Sequence, residues 1–259
     1  MFKLLPQQLG ILRSILMYYC LPGRFQRMQH FYAQFIARGA LCFDIGAHVG
    51  NRLRVWDALG ATTVAVEPQP SLMVWLRRFY GRNTRISLLE QAIGAVAGSA
   101  TLYISSRTPT VTSMSKQWIN SVQQDPSFKN VVWDGSVTVP VVTLDMLIAQ
   151  YGCPAFCKID VEGFELDVLR GLSVPIAALS FEYIAATRSM AVACIERLLS
   201  LAPYEFNYSP GESHRLQETQ WLSADQMLTV LNKVSGSGDI YGRLPLNYSK
   251  VLISATVSA

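Results

Sequence analysis

Cys42-Phe43-Asp44-Ile45-Gly46-Ala47-His48-Val49-Gly50-Asn51 runs from an apolar stretch into an acid, through two glycines that bracket three residues, and into a helical pattern. That order predicts a β-strand, a tight turn and the start of a helix. A second apolar run, Thr63-Val64-Ala65-Val66, ends in Glu67-Pro68, and Glu67 lies 21 positions after Gly46. An acid about 20 residues beyond a glycine turn is placed to accept hydrogen bonds from a ribose. The pair predicts a nucleoside-containing cofactor at the carboxyl ends of two neighbouring parallel strands.

The turn discriminates between cofactors. Dinucleotide sites use G-x-G-x-x-G, in which backbone N–H groups approach a pyrophosphate. This chain has G-x-x-x-G, with Asp44 two residues before the first glycine. A carboxylate sits badly beside a pyrophosphate and well beside S-adenosylmethionine, whose ammonium and sulfonium are cationic. Asp44 is then expected to face the methionine end and Glu67 the ribose hydroxyls. Hydrogen bonds to a charged acceptor contribute about 1.5–3 kcal/mol each. An acid at a strand end also serves simply to cap the next helix.

A second strand–turn–helix block is Phe156-Cys157-Lys158-Ile159-Asp160-Val161-Glu162-Gly163-Phe164-Glu165, continued by Val168-Leu169-Arg170-Gly171-Leu172. Asp160 and Glu162 are expected at the same sheet edge as Asp44 and Glu67. Glu165 reads as a surface acid or as a charge complementing a helix N-terminus.

The segments 43–51, Val66-Glu67-Pro68, Thr143-Leu144-Asp145 and 158–165 occur in the order seen in the FkbM family of methyltransferases, and Gln91–Ile104 also resembles that family. The resemblance spans about residues 41–185, and its Thr-Leu-Asp plus Lys-Ile-Asp-Val-Glu-Gly combination is the specific part. His48 departs from it, since the family commonly has Asn there. The resemblance implies an α/β, Rossmann-like class I methyltransferase fold. That means a mostly parallel seven-stranded sheet, helices on both faces, an inserted β-rich lid segment and an antiparallel last strand. It also implies O-methylation of a sugar-like or other small hydroxylated acceptor with S-adenosylmethionine as cofactor. The cofactor set would comprise Asp44, Gly46, Ala47, His48, Gly50, Asn51, Glu67, Pro68 and Asp160, with Gln91 and Ala92 bordering the adenine. Two other function classes stay open. One is an NAD-linked oxidoreductase, against which the missing third glycine and Asp44 speak; the other is an inactive cofactor-fold binding module.

With 259 residues, half of them hydrophobic and 15% charged, the chain suits one α/β domain around a buried parallel sheet. The expected division is an N-terminal helical extension (1–40) and a methyltransferase domain (41–259) with an insertion at about 99–144. The net charge of +4 is modest and no Lys/Arg run exists, so nucleic-acid binding is not indicated. Five cysteines cannot all pair. Cys42, Cys157 and Cys194 read as buried small residues, and no zinc pattern surrounds Cys153 and Cys157. A reducing cytoplasm is the natural compartment. The apolar stretch 11–21 contains Arg13 and is too short to span a bilayer; it reads as a helix packed on the domain, with weak peripheral membrane contact as the runner-up. Oligomeric state is left open.

Along the chain we expect helices at 7–20, 24–38, 51–59, 71–80 (capped by Ser71), about 115–123, 164–171, 189–201 and 220–234 (capped by Ser223). Strands are expected at 41–45, 63–67, 86–90, 101–105, 137–144, 155–160, 178–183, 204–208 and 249–257. The hydroxyl-rich segment between 105 and 136, with Trp118, suits a lid over a polar substrate or an ordinary surface excursion.

Methyl transfer to a hydroxyl needs a base near the nucleophile. The candidates are Asp160, Glu162, Glu182 and His48. His matches neutral pH best but sits inside the cofactor turn, and the acids need burial to act well. Lys158 reads as a strand residue paired with a carboxylate. Two carboxylates would suit magnesium, but no ligand set is defined, so no metal is assigned.

Overall fold

The computed structural model describes residues 6–245. In chain order the helices are α1 (Pro6–Tyr19), α2 (Arg24–Tyr32), α3 (Asn51–Leu59), α4 (Pro70–Tyr80), α5 (Lys116–Val122), α6 (Leu144–Tyr151), α7 (Glu165–Arg170), α8 (Arg188–Leu201) and α9 (Ala224–Leu231). The strands are β1 (Leu41–Ile45), β2 (Thr62–Val66), β3 (Ile86–Leu89), β4 (Ala92–Ile93), β5 (Gly98–Ile104), β6 (Gly135–Val142), β7 (Phe156–Ile159), β8 (Ala178–Ile184), β9 (Glu205–Pro210) and β10 (Ser237–Arg243).

Seven strands form one sheet in the order β3-β2-β1-β7-β8-β10-β9. The five from β3 to β8 run parallel, and β10 is antiparallel to both β8 and β9. The fold is therefore the α/β, mostly parallel seven-stranded Rossmann-like architecture expected. Side-chain alternation along each strand sorts two cores. Phe43, Ile45, Cys157, Ile159, Leu179 and Phe181 pack under α6, α7, α8 and α9. Cys42, Phe156, Ala178 and Tyr241 pack under α2 and α3, against Met28, Tyr32 and Trp56. The same parity puts Asp44, Lys158 and Ser180, which lie opposite one another in register, on the α2/α3 face.

Segment 99–144 is folded. β5 and β6 pair antiparallel and β4 joins them in a small three-stranded sheet. Trp118 of α5 is buried, and a Cβ on Gly163 (φ +86°) would run into its ring. Trp118 therefore locks the insertion onto the turn after β7 and does not reach over a substrate.

Four expectations change. The strand read over 137–144 ends at Val142, and Leu144–Tyr151, where no helix was expected, forms α6, capped by the Thr143 side chain, which accepts from Met146 N. The helix read over 24–38 stops at Tyr32, because the chain turns there to bring Phe35 flat against Phe156 and Tyr241. Ser71 is not an N-cap: Pro70 takes the first helical position, Gln69 caps, and the Ser71 hydroxyl accepts from Gln7 Nε2 at 2.8 Å. The inserted antiparallel strand is Ser237–Arg243, whereas the strand read at 249–257 lies outside the described residues. With two glycines and few β-branched residues, 237–243 has weak strand propensity, and its neighbours on both sides impose the conformation. Gly238 is needed there, since a Cβ would meet the Ser209 carbonyl. Ser223 does cap α9, in a capping box with Gln226.

Candidate active site

The carboxyl ends of β1, β2 and β7 open into a cleft with about 740 Å³ of empty space, open solvent at its mouth included. The turn after β1 forms its floor. Gly46 N and Ala47 N donate to the Val66 carbonyl at 2.9 and 3.0 Å, and Asp160 N donates to the Ile45 carbonyl at 2.9 Å. Gly46 has φ +86°, and a Cβ there would collide with the Asp160 carbonyl. Only glycine lets the two strand ends approach so closely. Gly50, φ +79°, is the N-cap residue of α3, and Tyr80 Oη donates to its carbonyl at 2.9 Å. Ala47 is fully buried beneath the turn.

Glu67 lines the cleft at the end of β2. One carboxylate oxygen accepts from His48 N at 2.8 Å and the other from Gln69 N at 2.9 Å. Burial pushes this carboxyl up to about 7, against the opposing pull of those two N–H groups. Each oxygen keeps acceptor capacity toward the cleft. Asn51, Pro68, Gln91 and Ala92 line the same cleft, as do Thr110, Thr112 and Met114 from the insertion. The insertion is thus one wall of the cleft.

Asp44 does not line the cleft. It is fully buried on the α2/α3 face, and neither of its oxygens has a hydrogen-bond partner among the described residues. Burial raises its carboxyl to about 6, with Arg52 opposing. It directly precedes Ile45 and Gly46, which line the cleft, and so lies beneath the floor.

Asp160, Glu162 and Glu182 come together: one oxygen from each lies within 4.8 Å of the others. That spacing suits a hard cation, but two cationic side chains already serve the cluster. Arg52 of α3 forms a short ion pair with Asp160. Lys158, fully buried, lies 3.5 Å from Asp160 and 2.7 Å from Asp239 of β10. Burial would lower the Lys158 ammonium, yet Asp160 and Asp239 outweigh it and hold it above its usual range. Asp160 is the mirror case. Burial pushes it up, while Lys158 and Arg52 hold it down at about 2. Glu162 and Glu182 rise well above the ordinary carboxylate range, first from burial and then from the neighbouring acids.

Glu162 lines the cleft, whereas Glu182 faces a small adjoining hollow beside Trp118 and Gly163. Glu162 has φ +53°, an uncommon conformation for a non-glycine residue. Ser113 Oγ holds it there by donating to its carbonyl at 2.6 Å. Glu165 is a correction to its surface reading: it is buried, and its Oε1 accepts from Val161 N and Gly163 N, both at 3.2 Å. It shapes the turn that presents Glu162.

His48 lines the cleft with φ +50°, and its Nε2 is buried without a partner among the described residues. Burial lowers the ring to about 4, with Asp160 opposing. It is therefore neutral at pH 7, set edge-on to Tyr18 of α1.

Arg52, Asp239 and Tyr18 escaped the reading of the sequence. Arg52 carried a signal, since a cation in the first turn of a helix opposes the macrodipole and implies a nearby anion. Asp239 and Tyr18 carried none.

The donor set fits S-adenosylmethionine. A glycine turn allows close approach, a buried acid at β2 has free acceptor capacity, and unpaired Asp44 lies beneath the floor. The sequence matches the model of the Methyltransferase FkbM domain over residues 44–202. No curated protein matches it significantly. Among solved structures, the fold is similar to an O-methyltransferase from Bacillus cereus in complex with SAH, at 12% identity over 93% of this chain and 89% of that one, with a TM-score of 0.47. It is also similar to precorrin-6Y C5,15-methyltransferase from Geobacter metallireducens GS-15, at 10% identity over 86% of both chains, with a TM-score of 0.43. A third is a SAM-dependent O-methyltransferase from Thermotoga maritima, at 10% identity over 89% of this chain and 70% of that one, with a TM-score of 0.39.

Proposed function

Because the chain belongs to the FkbM methyltransferase family, and so takes its methyl group from S-adenosylmethionine, we propose that the acceptor is a hydroxyl of a sugar-like or other small molecule and that Glu162 takes its proton. One observation carries this reading. Three acids line the cleft, and two are committed: Glu67 to backbone N–H groups and Asp160 to Arg52 and Lys158. The Glu162 side chain makes no hydrogen bond or ion pair among the described residues. Its raised proton affinity makes it a stronger base than an ordinary carboxylate.

The bound cofactor supplies an electrophilic methyl on a sulfonium, which leaves as a neutral thioether and needs no acid. The protein's own work is to hold and orient. Glu67 accepts from the ribose hydroxyls, Gln91 and Ala92 border the base, and Asp44 with Asp160 favours the cationic end. Asn51 and Thr110 offer hydrogen bonds to a polar acceptor. Glu162 receives the hydroxyl proton as the oxygen–carbon bond forms. Positioning of this kind lowers barriers by about 7–11 kcal/mol in favourable cases.

The test is transfer of a labelled methyl from S-adenosylmethionine to pooled glycans and small polyols. The product expected is a methyl ether that survives mild alkali. Label recovered only in alkali-labile esters or in amines would remove the hydroxyl reading. For the cofactor, Glu67→Ala is expected to weaken S-adenosylmethionine binding at least about tenfold, given the worth of hydrogen bonds to a charged acceptor. Calorimetry giving an unchanged Kd would dismiss the ribose assignment.

A further inference from the structure

Helix α1 has two apolar faces. The inner one, with Ile11, Ile15 and Tyr19, packs on Val49, Leu72 and Trp75. The outer one leaves Leu9, Leu12, Leu16 and Met17 between 41% and 54% exposed. Positions 9, 12 and 16 recur at helical spacing, so their side chains form one stripe. On the adjoining α4, Val74 and Phe79 are 64% and 60% exposed. Scattered exposed apolar residues are ordinary, but a stripe of them marks an interaction surface.

Charge decides what covers it. The first 43 residues contain no Asp or Glu, and neither do residues 68–89. Exposed Arg13 of α1, Arg78 in the last turn of α4 and Arg82 just past that helix make no ion pair among the described residues. Glu90, which reaches α4 from outside those stretches, is already paired with Arg77 at 2.7 Å, and leucines beside unpaired arginines complement an anionic headgroup layer over hydrocarbon. A second copy of the same face would set arginine against arginine. No described helix is long and apolar enough to cross a membrane.

We propose that this face docks on an anionic lipid bilayer. The leucine stripe of α1 enters the headgroup–acyl boundary while the arginines meet lipid phosphates and carboxylates. Tyr18, on the inner side of the same helix, lines the cleft. Docking therefore holds the cleft within about 10 Å of the lipid surface, one helix diameter.

The test is co-sedimentation of the full chain with vesicles of phosphatidylcholine, alone or mixed with phosphatidylserine, at low and high salt. Binding is expected to the serine-containing vesicles, at least about tenfold above the neutral ones, and to weaken with salt. Leu12→Gln/Leu16→Gln, which does not touch the cleft, is expected to keep its affinity for S-adenosylmethionine and lose at least about tenfold in vesicle partition. Arg13→Gln/Arg78→Gln is expected to erase the preference for phosphatidylserine. Absence of wild-type binding to anionic vesicles overturns the proposal. So does full binding by the leucine variant, or a solution dimer that this variant converts to monomer.

Discussion

Glu162→Gln is expected to lower turnover by about 10²–10⁴-fold, the usual contribution of a general base, while S-adenosylmethionine binds with near wild-type affinity. The amide keeps the size of the side chain and cannot accept the hydroxyl proton. The loss should fall on kcat and kcat/KM together, as for an interaction made in the transition state. The wild-type pH profile supplies a second reading. Glu162 must be ionised to act, and burial with neighbouring acids lifts its proton affinity. The rate should therefore fall as pH drops through that raised pKa, with the acid limb above the ordinary carboxylate range. In Glu162→Gln that limb should disappear. A variant with wild-type turnover, or an unaltered acid limb, would return the base to His48 or Glu182.

Lys158→Met is expected to destabilise the fold by about 3–5 kcal/mol, the cost of removing one partner from a buried ion pair. Lys158 is fully buried and bridges Asp160 and Asp239. Without it Asp239 loses its cation, while Asp160 keeps Arg52. Lys158→Met/Asp239→Asn removes both charges of the outer pair and should recover more than half of the loss. Urea unfolding measures both variants, and a shift in midpoint at constant slope identifies a change in stability. If the single variant lost under about 1 kcal/mol, the ammonium would not be holding the two acids.

The two predictions divide the acids of the β7 turn into one that is spent and one that is free. Asp160 and Glu162 stand two residues apart and looked interchangeable as bases in the sequence. Arg52 and Lys158 separate them. Counter-charges hold Asp160 at about 2, a poor base at neutral pH. Glu162, with its carbonyl tied by Ser113 and its side chain untied, is poised oppositely. Asp44 teaches a related lesson. Its distance along the chain from Gly46 suggested a residue facing the ligand, but strand parity turns it to the α2/α3 face and beneath the floor.

The linear chain was enough to determine the alternation of strands and helices from 41 to 90 and from 155 to 201, the glycine turn after β1, the acid at the end of β2 and the family, but not the short strand β4 or helix α6. These are local properties: apolar periodicity, a conformation only glycine adopts without strain, and fixed spacings within one βα unit. Tertiary structure alone decided which acid is free, that Trp118 is a clamp, and that Ser237–Arg243 completes the sheet. Each depends on a partner far along the chain. Lys158 and Asp239 are 81 residues apart, and Glu162 and its Ser113 tether 49. A carboxylate's charge state follows from the cations and the burial that folding brings to it, and no spacing within one segment encodes them.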